Sequence, residues 1–192
     1  MAQDAKNRII TIPILFGGKL TGKTGKFELG LMNAQTRSKN TIAGENFSVA
    51  RIKYQILSRS YIGLIATSRL TKSNFDNSAI GADANIFISE DTGVSGFAST
   101  TASRGESHGN LNSSAFNITL FKRGERTSFN LALTDIGGNF NPKVGFLTRS
   151  DVRKWNGELK IPLYVESKKI RRLVPEYKVV YFVNHDEKIE NS

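Results

Sequence analysis

Cysteine is absent from the 192 residues, which excludes disulfides, thiolate metal sites and a cysteine nucleophile. Histidine occurs twice, at His108 and His185, far apart and both in loop-like sequence, so we predict no metal site and no cofactor. No apolar run approaches the roughly 20 residues that a membrane-spanning helix needs. That absence leaves membrane β-strands open, because they need only about 9–11 residues.

The chain is strongly basic, with a net charge of +10 and a pI near 9.9, but its cations are dispersed. The one tight cluster lies at residues 168–172, and its composition is that of a solvated loop. The helix-turn-helix, zinc-finger and RNP patterns of nucleic-acid-binding proteins do not occur in the sequence. We therefore predict that nucleic acid is not a partner.

The N-terminus has a faint likeness to a signal peptide, since Lys6 and Arg8 precede an apolar run at 9–16. That run is short, contains Pro13 and is followed by Gly17-Gly18-Lys19 rather than by a small-residue cleavage site. We predict that this chain contains no targeting segment and that residues 1–8 form an N-terminal tail.

A phosphate-binding pattern follows the apolar run. Gly17, Gly22, Lys23 and Thr24 satisfy G-x-x-x-x-G-K-[ST], in which backbone N–H groups cradle phosphates, the lysine reaches the outer ones and the threonine holds magnesium. The pattern makes a nucleotide-binding protein one hypothesis for this chain. It requires that a helix begin directly after Thr24, because the helix N-terminus forms part of the anion site.

The residues after Thr24 favour a β-hairpin instead. Phe27, Leu29 and Leu31 alternate with polar or small residues, which is the period of a strand. Glycines in the first turn of a helix would each cost about 1 kcal/mol relative to alanine. We therefore predict two strands joined by a tight turn at residues 22–25.

Similar alternation continues along the chain and predicts an all-β fold. Tight turns and longer polar loops, the latter at 70–78 and 104–110, connect the strands, and helical periodicity is absent. Short connections join antiparallel neighbours, so we predict an up-and-down meander of roughly ten strands as one domain over residues 9–184, followed by a charged tail at 185–192. The strands predicted between the first hairpin and the tail are 46–57, 61–69, 80–89, 94–103, 115–123, 128–136, a hairpin centred on Asn156-Gly157, and 177–183.

Periodicity alone leaves open which face of the sheet is outside. Arg51 and Lys53 lie in mid-strand, and on a lipid face each would cost about 2–4 kcal/mol near the bilayer midplane. In a membrane barrel these side chains must therefore face the lumen, whereas in a soluble barrel they would face water. Tyr54, Tyr61 and Trp155 are either part of an interfacial aromatic belt or ordinary core and surface aromatics.

Three stretches occur in an order that resembles a known family. They are GGKLTGKTGKFELGLMNAQT at 17–36, NFSVARIKYQILSRSYIGLIATSR at 46–69 and NFNPKVGFLTR at 139–149. Together they are similar to the C-terminal region of the domain-of-unknown-function 5916 family, and the resemblance spans about residues 9 to 184. The motifs are moderately specific.

The resemblance implies an outer-membrane-type β-barrel, with the lipid bilayer of a Gram-negative cell as partner. Family members are longer secreted proteins, especially of Bacteroidota, and often carry an N-terminal domain resembling carbohydrate-binding module family 9. This chain lacks the signal peptide, that module and the first barrel strands. It is therefore expected to be a fragment whose remaining partner is the missing N-terminal part of the same protein. The family supplies no activity to transfer.

Three function hypotheses follow. The first is a non-enzymatic outer-membrane barrel segment that binds or passes polar solutes, with carbohydrate suggested only by the family's module. The second is a soluble antiparallel barrel that binds a small apolar ligand, and the third is the nucleotide-binding protein described above. The lumen residues of the first hypothesis are Arg51, Lys53, Arg69, Asp83, Asn85 and Asn117. The cavity residues of the second are Ile52, Ile80, Ile86, Phe116 and Leu131.

Overall fold

The computed structural model of the protein describes residues 2–3, 9–39, 42–71, 77–103, 111–165 and 172–185. Within these ranges the chain is all-β apart from one 3-10 turn at Leu111–Ser113, and it contains no helix long and apolar enough to cross a membrane. The strands, in chain order, are β1 (Ala2–Gln3), β2 (Ile9–Ile10), β3 (Ile14–Thr24), β4 (Phe27–Thr36), β5 (Glu45–Gln55), β6 (Tyr61–Thr71), β7 (Asn77–Phe87), β8 (Thr92–Ser103), β9 (Ser114–Arg123), β10 (Ser128–Ile136), β11 (Val152–Lys160), β12 (Leu163–Tyr164), β13 (Arg172–Leu173) and β14 (Glu176–Val183).

Ten of the described strands form one antiparallel sheet, in the order β14-β11-β10-β9-β8-β7-β6-β5-β4-β3. Each strand pairs with its neighbours along the chain, except that the small β12–β13 hairpin is inserted between β11 and β14. The predicted up-and-down meander is confirmed. Among the described residues β3 and β14 have one neighbour each, so the sheet is open.

The first hairpin is also confirmed, although its turn lies later than predicted. Strand β3 continues through Thr24, and the chain reverses at Gly25 and Lys26 instead of at 22–25. Gly25 has a φ of 56°, a left-handed conformation that glycine adopts without steric penalty. Residues 17–24 are therefore extended and are followed by a second strand, so the loop-to-helix geometry of a phosphate loop does not form here.

The hairpin predicted at Asn156-Gly157 is wrong. Both residues lie inside β11, where Asn156 pairs with Ala132 and Gly157 pairs with Leu131 and Val179. A Cβ on Gly157 would lie 3.7 Å from the Leu131 side chain, an ordinary van der Waals contact, so this position would accept a side chain as other strand positions do. The dipeptide favours a turn in isolation, but pairing with a strand on each side keeps the chain extended here.

Several boundaries also differ from the prediction. The strand predicted at 80–89 runs from Asn77 to Phe87, and the predicted loop at 70–78 is shorter because β6 reaches Thr71. The chain turns at 88–91 rather than at 91–93. The predicted loop 104–110, the basic residues 168–171, residue His108, and most of both predicted tails lie outside the described residues; Ala2–Gln3 of the N-terminal tail pairs with Ile9–Ile10.

Glycines in the central strands allow close approach of neighbouring backbones. A Cβ at Gly96 in β8 would overlap the backbone oxygen of Asn117 in β9 and would lie 3.3 Å from the Cα of Ile118. At Gly30 in β4, by contrast, an added Cβ would meet no heavy atom within 4 Å. A methyl group would therefore collide with the neighbouring strand at Gly96 but would fit at Gly30.

We expect Gly96→Ala to destabilise the fold by about 1–3 kcal/mol, because backbone in the neighbouring strand cannot yield as a flexible side chain can. The matched control is Gly30→Ala, which should leave stability unchanged or slightly raise it. The measurement is urea-induced unfolding followed by far-UV circular dichroism. Equal midpoints for the two variants would contradict the close packing of β8 against β9.

Candidate functional site

All six predicted lumen residues lie on one face of the sheet. Residues paired across an antiparallel ladder share a face, and successive residues alternate. The register Lys53↔Gly63↔Asp83↔Phe97↔Asn117 runs across five strands. The other predicted residues lie an even number of positions from a member of this row on their own strands, so their side chains are on the same face. We call this side of the main sheet the polar face, defined by Arg51, Lys53, Arg69, Asp83, Asn85 and Asn117.

Ion pairs between strands link the charges of the polar face. One guanidinium nitrogen of Arg51, on β5, donates to both carboxylate oxygens of Asp83, on β7, at 2.8 Å. This pair spans Gly63, where a Cβ would lie 2.7 Å from an Asp83 oxygen. Arg69 on β6 is paired with Glu45 on the adjacent strand β5 through two guanidinium nitrogens. Glycine at position 63 therefore makes the Arg51–Asp83 bridge possible.

Amide and hydroxyl groups continue the polar face across β9 and β10. Asn117 donates to the Thr134 hydroxyl at 2.8 Å and accepts from the Thr119 hydroxyl at 3.1 Å. Phe97 pairs with both Asp83 and Asn117 and is an exposed aromatic ring among these polar groups. The face thus offers charged, amide and aromatic contacts to a polar solute.

The opposite side of the sheet, which we call the apolar face, is largely exposed. It contains the five residues predicted to line a soluble cavity, Ile52, Ile80, Ile86, Phe116 and Leu131, which alternate with the polar-face residues in their strands. Two wide, open depressions of about 710 and 850 Å³ lie against it. Ile52 lines both of them, and Leu131 lines neither.

Aromatic pairs on the apolar face share one ladder row. Phe27 contacts Tyr54 at 4.8 Å between ring centroids, beside the turn at 25–26, and Trp155 contacts Tyr181 at 5.5 Å, near the start of β11. Tyr54 and Trp155 thus lie on the same face of the sheet, as an interfacial aromatic belt requires. That they belong to such a belt stays a prediction. Tyr61 does not share it, because its ring lies on the polar face, 4.1 Å beneath the ammonium of Lys53.

The other end of the apolar face is bounded by hydrogen-bonded amides and hydroxyls. Asn33 on β4 donates to Asn46 at 2.9 Å and to Ser48 at 2.8 Å, both on β5. Asn46 in turn donates to Gln35 at 3.1 Å. On β4 and β5 the apolar band is therefore limited by a polar network at one end and contains the Phe27–Tyr54 pair at the other.

The segment between β10 and β11, residues 137–151, folds back over the polar face, and we call it the strap. The buried side chain of Asn77, at the start of β7, holds it by donating to the Asn141 carbonyl at 3.1 Å and accepting from the Lys143 N–H at 3.0 Å. Buried Thr101 on β8 accepts from the Asn141 N–H at 3.2 Å. Phe140 of the strap is buried as well. The strap therefore covers the β7–β8 end of the polar face.

A second polar cluster ties the base of the strap to the end of β14. His185 Nδ1 lies 2.7 Å from Asp151, and His185 Nε2 lies 3.1 Å from Asp135. Arg153 donates to the other oxygen of Asp135 at 2.6 Å. Asp135 and its partner Arg153 lie opposite each other at the border of the apolar face.

The two groups outside the strands in this cluster have shifted pKa values. Hydrogen bonding to Asp151, and then to Asp135, raises the pKa of His185 above its ordinary 6.5, although burial opposes the shift. The same hydrogen bond from His185 lowers the pKa of Asp151 below its ordinary 3.8, with Arg149 contributing at longer range. Asp151 has a φ of 55°, uncommon for a residue with a side chain. The residue that contacts His185 at the strap base is therefore itself in a left-handed conformation.

Metal ligands do not converge among the described residues, where no group of three or more His, Cys, Asp and Glu side chains is placed to hold an ion. No protein-family model, no curated protein and no solved structure matches this chain. The resemblance drawn from the three sequence stretches therefore stays a prediction.

Sequence reasoning missed the residues that hold the strap and the cluster around His185. Asn77 was placed in a loop, Thr101 in an unremarked small-residue strand, and His185 in a tail. Their contacts join residues 34 to 66 positions apart, which local periodicity does not report. The one available signal was the irregular stretch between two regular strands at 137–150, because long ordered loops are uncommon without a role.

Replacing Asn77 should release the strap. We expect Asn77→Ala to accelerate tryptic cleavage after Lys143 by about tenfold, because the loss of its side chain leaves buried strap groups unsatisfied. The matched control is Asn85→Ala, on the same strand and face but away from the strap. A cleavage rate that is the same in both variants would contradict the Asn77 clamp.

Raising the pH should weaken the His185 cluster. Because the folded-state pKa of His185 is raised, its stabilising contribution is complete below the ordinary value of 6.5 and is lost as the pH rises through the raised pKa. We expect the urea midpoint to fall between about pH 6 and about pH 8.5 in the native chain, and to change less in His185→Ala. Parallel pH profiles for the two proteins would overturn this role of His185.

Proposed function

We propose that this chain forms part of a non-enzymatic outer-membrane β-barrel. In that arrangement the apolar face meets lipid and the polar face lines the lumen. The proposal assigns the chain a binding or conducting role for polar solutes and no catalytic chemistry.

One observation carries the proposal, namely that the apolar side of the sheet is exposed while the chain's own strap covers part of the polar side. The strap, with buried Phe140, packs over the polar face through Asn77 and Thr101. The apolar face has no comparable cover among the described residues, and Leu64, Ile80 and Ile118 on it are all about half exposed. A water-soluble sheet would cover the other side, because burying apolar surface gains about 25 cal/mol per Å².

The extent of exposed surface supports the same interpretation. The chain has 13542 Å² of accessible surface, whereas a folded monomer of 21.2 kDa exposes roughly 9,000 Å². Soluble monomers rarely show contiguous apolar patches beyond a few hundred Å². An apolar face that extends across most of a ten-stranded layer therefore needs an apolar environment, which lipid supplies.

The apolar band also runs obliquely across the strands. The ladder row that contains Leu31 is apolar as far as Ile80 and then continues through Thr100 and Ser114. The next row is apolar as far as Phe116 and then reaches the charged pair of Asp135 and Arg153. The polar border thus shifts along the strands, as it does when tilted barrel strands cross a horizontal bilayer.

Connections at the two ends of the sheet differ in length. At one end the strands are joined at 25–26, 56–60, 88–91 and 124–127, with the β12–β13 insertion as the exception. At the other end the connections are 37–44, 72–76, 104–113 and the strap. Membrane barrels have short periplasmic turns and longer extracellular loops. We accordingly assign the end with the strap to the outside.

The charge and chemistry of the polar face favour polar or anionic solutes. Lys53, Arg51 and Arg69 lie on it, together with Asn85 and Asn117, and the whole chain carries a net charge of +10. Carbohydrate stays a proposal that rests on the family resemblance and on the mixture of amide, carboxylate and aromatic groups around Phe97.

Charge placed on the apolar face should impair membrane insertion. We expect Leu64→Arg to weaken refolding into phospholipid vesicles by about 2–4 kcal/mol, whereas Ser95→Arg on the polar face should have a small effect. The measurement is urea-dependent refolding scored by heat-shifted migration on a gel. Better insertion of Arg51→Leu and Lys53→Leu would instead place the polar face toward lipid and reject the proposal.

A second candidate, the soluble barrel with an apolar ligand, draws support from the two depressions on the apolar face. Ile52, Ile80 and Phe116 line the larger one, of about 850 Å³, which matches the roughly 300–1,000 Å³ of small-molecule sites. Far-UV circular dichroism with and without detergent separates the two candidates. A β-rich monodisperse protein in plain buffer would favour the soluble barrel, and a β-rich, heat-shifted form only in detergent would favour the membrane barrel.

A further inference from the structure

We propose that a small pocket at the short-turn end of the polar face binds phosphate groups of soluble ligands. The inference concerns a site that does not depend on which medium covers the apolar face. Its test can therefore fail while the membrane proposal stands, and the reverse also holds.

The pocket has a volume of about 170 Å³ and is lined mainly by polar side chains. This is smaller than the roughly 300–1,000 Å³ of sites for drug-sized ligands, so it suits a single small group. The lining residues come from the β3–β4 hairpin and from β5, β6 and the turn between them. The charged and aromatic residues among them are Lys23, Lys26, Glu28, Lys53, Arg59 and Tyr61.

The charge in the pocket is unbalanced. Four cationic side chains, those of Lys23, Lys26, Lys53 and Arg59, face one carboxylate, that of Glu28. Glu28 is shared, because its two oxygens lie 3.5 Å from Lys23 and 3.4 Å from Lys53. Like charges repel when they converge, so an anion entering here would relieve that repulsion.

Two of the cations are held in place before any ligand arrives. The Lys53 ammonium lies 4.1 Å from the centre of the Tyr61 ring, and the Arg59 guanidinium lies 4.1 Å from that of Phe87. Arg59 also donates to the Glu90 carbonyl at 2.6 Å. Stacked guanidinium groups suit phosphate because their planar donors match its oxygens, and fixed side chains lose less entropy on binding.

The chemistry differs from the phosphate loop that the sequence pattern suggested. Lys23 is common to both, but here it acts from an extended strand, and the other cations come from β5 and neighbouring turns. Side-chain cations replace backbone N–H groups, so neither a helix nor magnesium is required. Phosphate could reach such a site as a free ion, on a soluble metabolite or on a lipid, and the position on the polar face favours a soluble source.

The test is isothermal titration of the full chain with inorganic phosphate in a phosphate-free buffer, with zwitterionic detergent if the chain requires it. We expect saturable binding that Arg59→Gln weakens by about tenfold or more, because a charge-assisted contact is lost. Glu28→Gln should tighten binding several-fold, since it removes the competing carboxylate. The control Lys19→Gln makes the same charge change on β3, outside the pocket, and should alter the affinity by less than about twofold.

The Glu28 variant separates a built site from general attraction to a basic protein. Absence of saturable binding in the native chain, an equal loss in Lys19→Gln and Arg59→Gln, or no gain in Glu28→Gln would each overturn the proposal. A parallel titration with micelles containing phosphatidylglycerol identifies the source: binding of that lipid, but not of inorganic phosphate, would reject a soluble ligand. Circular dichroism of each variant checks that the fold is retained.

Discussion

Ladder hydrogen bonds between antiparallel neighbours hold ten strands in one layer, and successive side chains must then point to opposite sides of it. Every other feature follows from this constraint. The row that contains Asp83 and Asn117 cannot share a side with the row that contains Leu64 and Phe116. Among the described residues no second layer packs against the apolar side of the sheet, and that side is largely exposed.

The strap covers part of the polar face and not the apolar face. Asn77 and Thr101 are buried beneath the strap, and they supply hydrogen bonds to backbone groups that would otherwise be unsatisfied there. Ion pairs such as Arg51–Asp83 form over glycine on the same side. This distribution is the reverse of that in a water-soluble sheet, and the proposed membrane role rests on it.

Charge is arranged unevenly along the polar face. Toward the strap, Arg69 is matched by Glu45, and the base of the strap is tied down by His185 and its two carboxylates. At the short-turn end the lysines and Arg59 outnumber Glu28. A solute crossing such a face would meet a covered, charge-balanced end and an open, cationic one, which gives the proposed lumen a direction.

The sequence by itself determined the strands, their antiparallel order and the two faces, because alternation of period two is a local property that each strand carries. It placed Arg51, Asp83 and Asn117 on one side and Ile52, Ile80 and Phe116 on the other. It misjudged Asn156-Gly157, where neighbours on both sides extend the strand through a dipeptide that favours a turn in isolation. The strap, the His185 cluster and the cationic pocket were decided only by tertiary structure. Each of them joins side chains from separate strands or loops, and the register that brings those side chains together is set by the whole ladder.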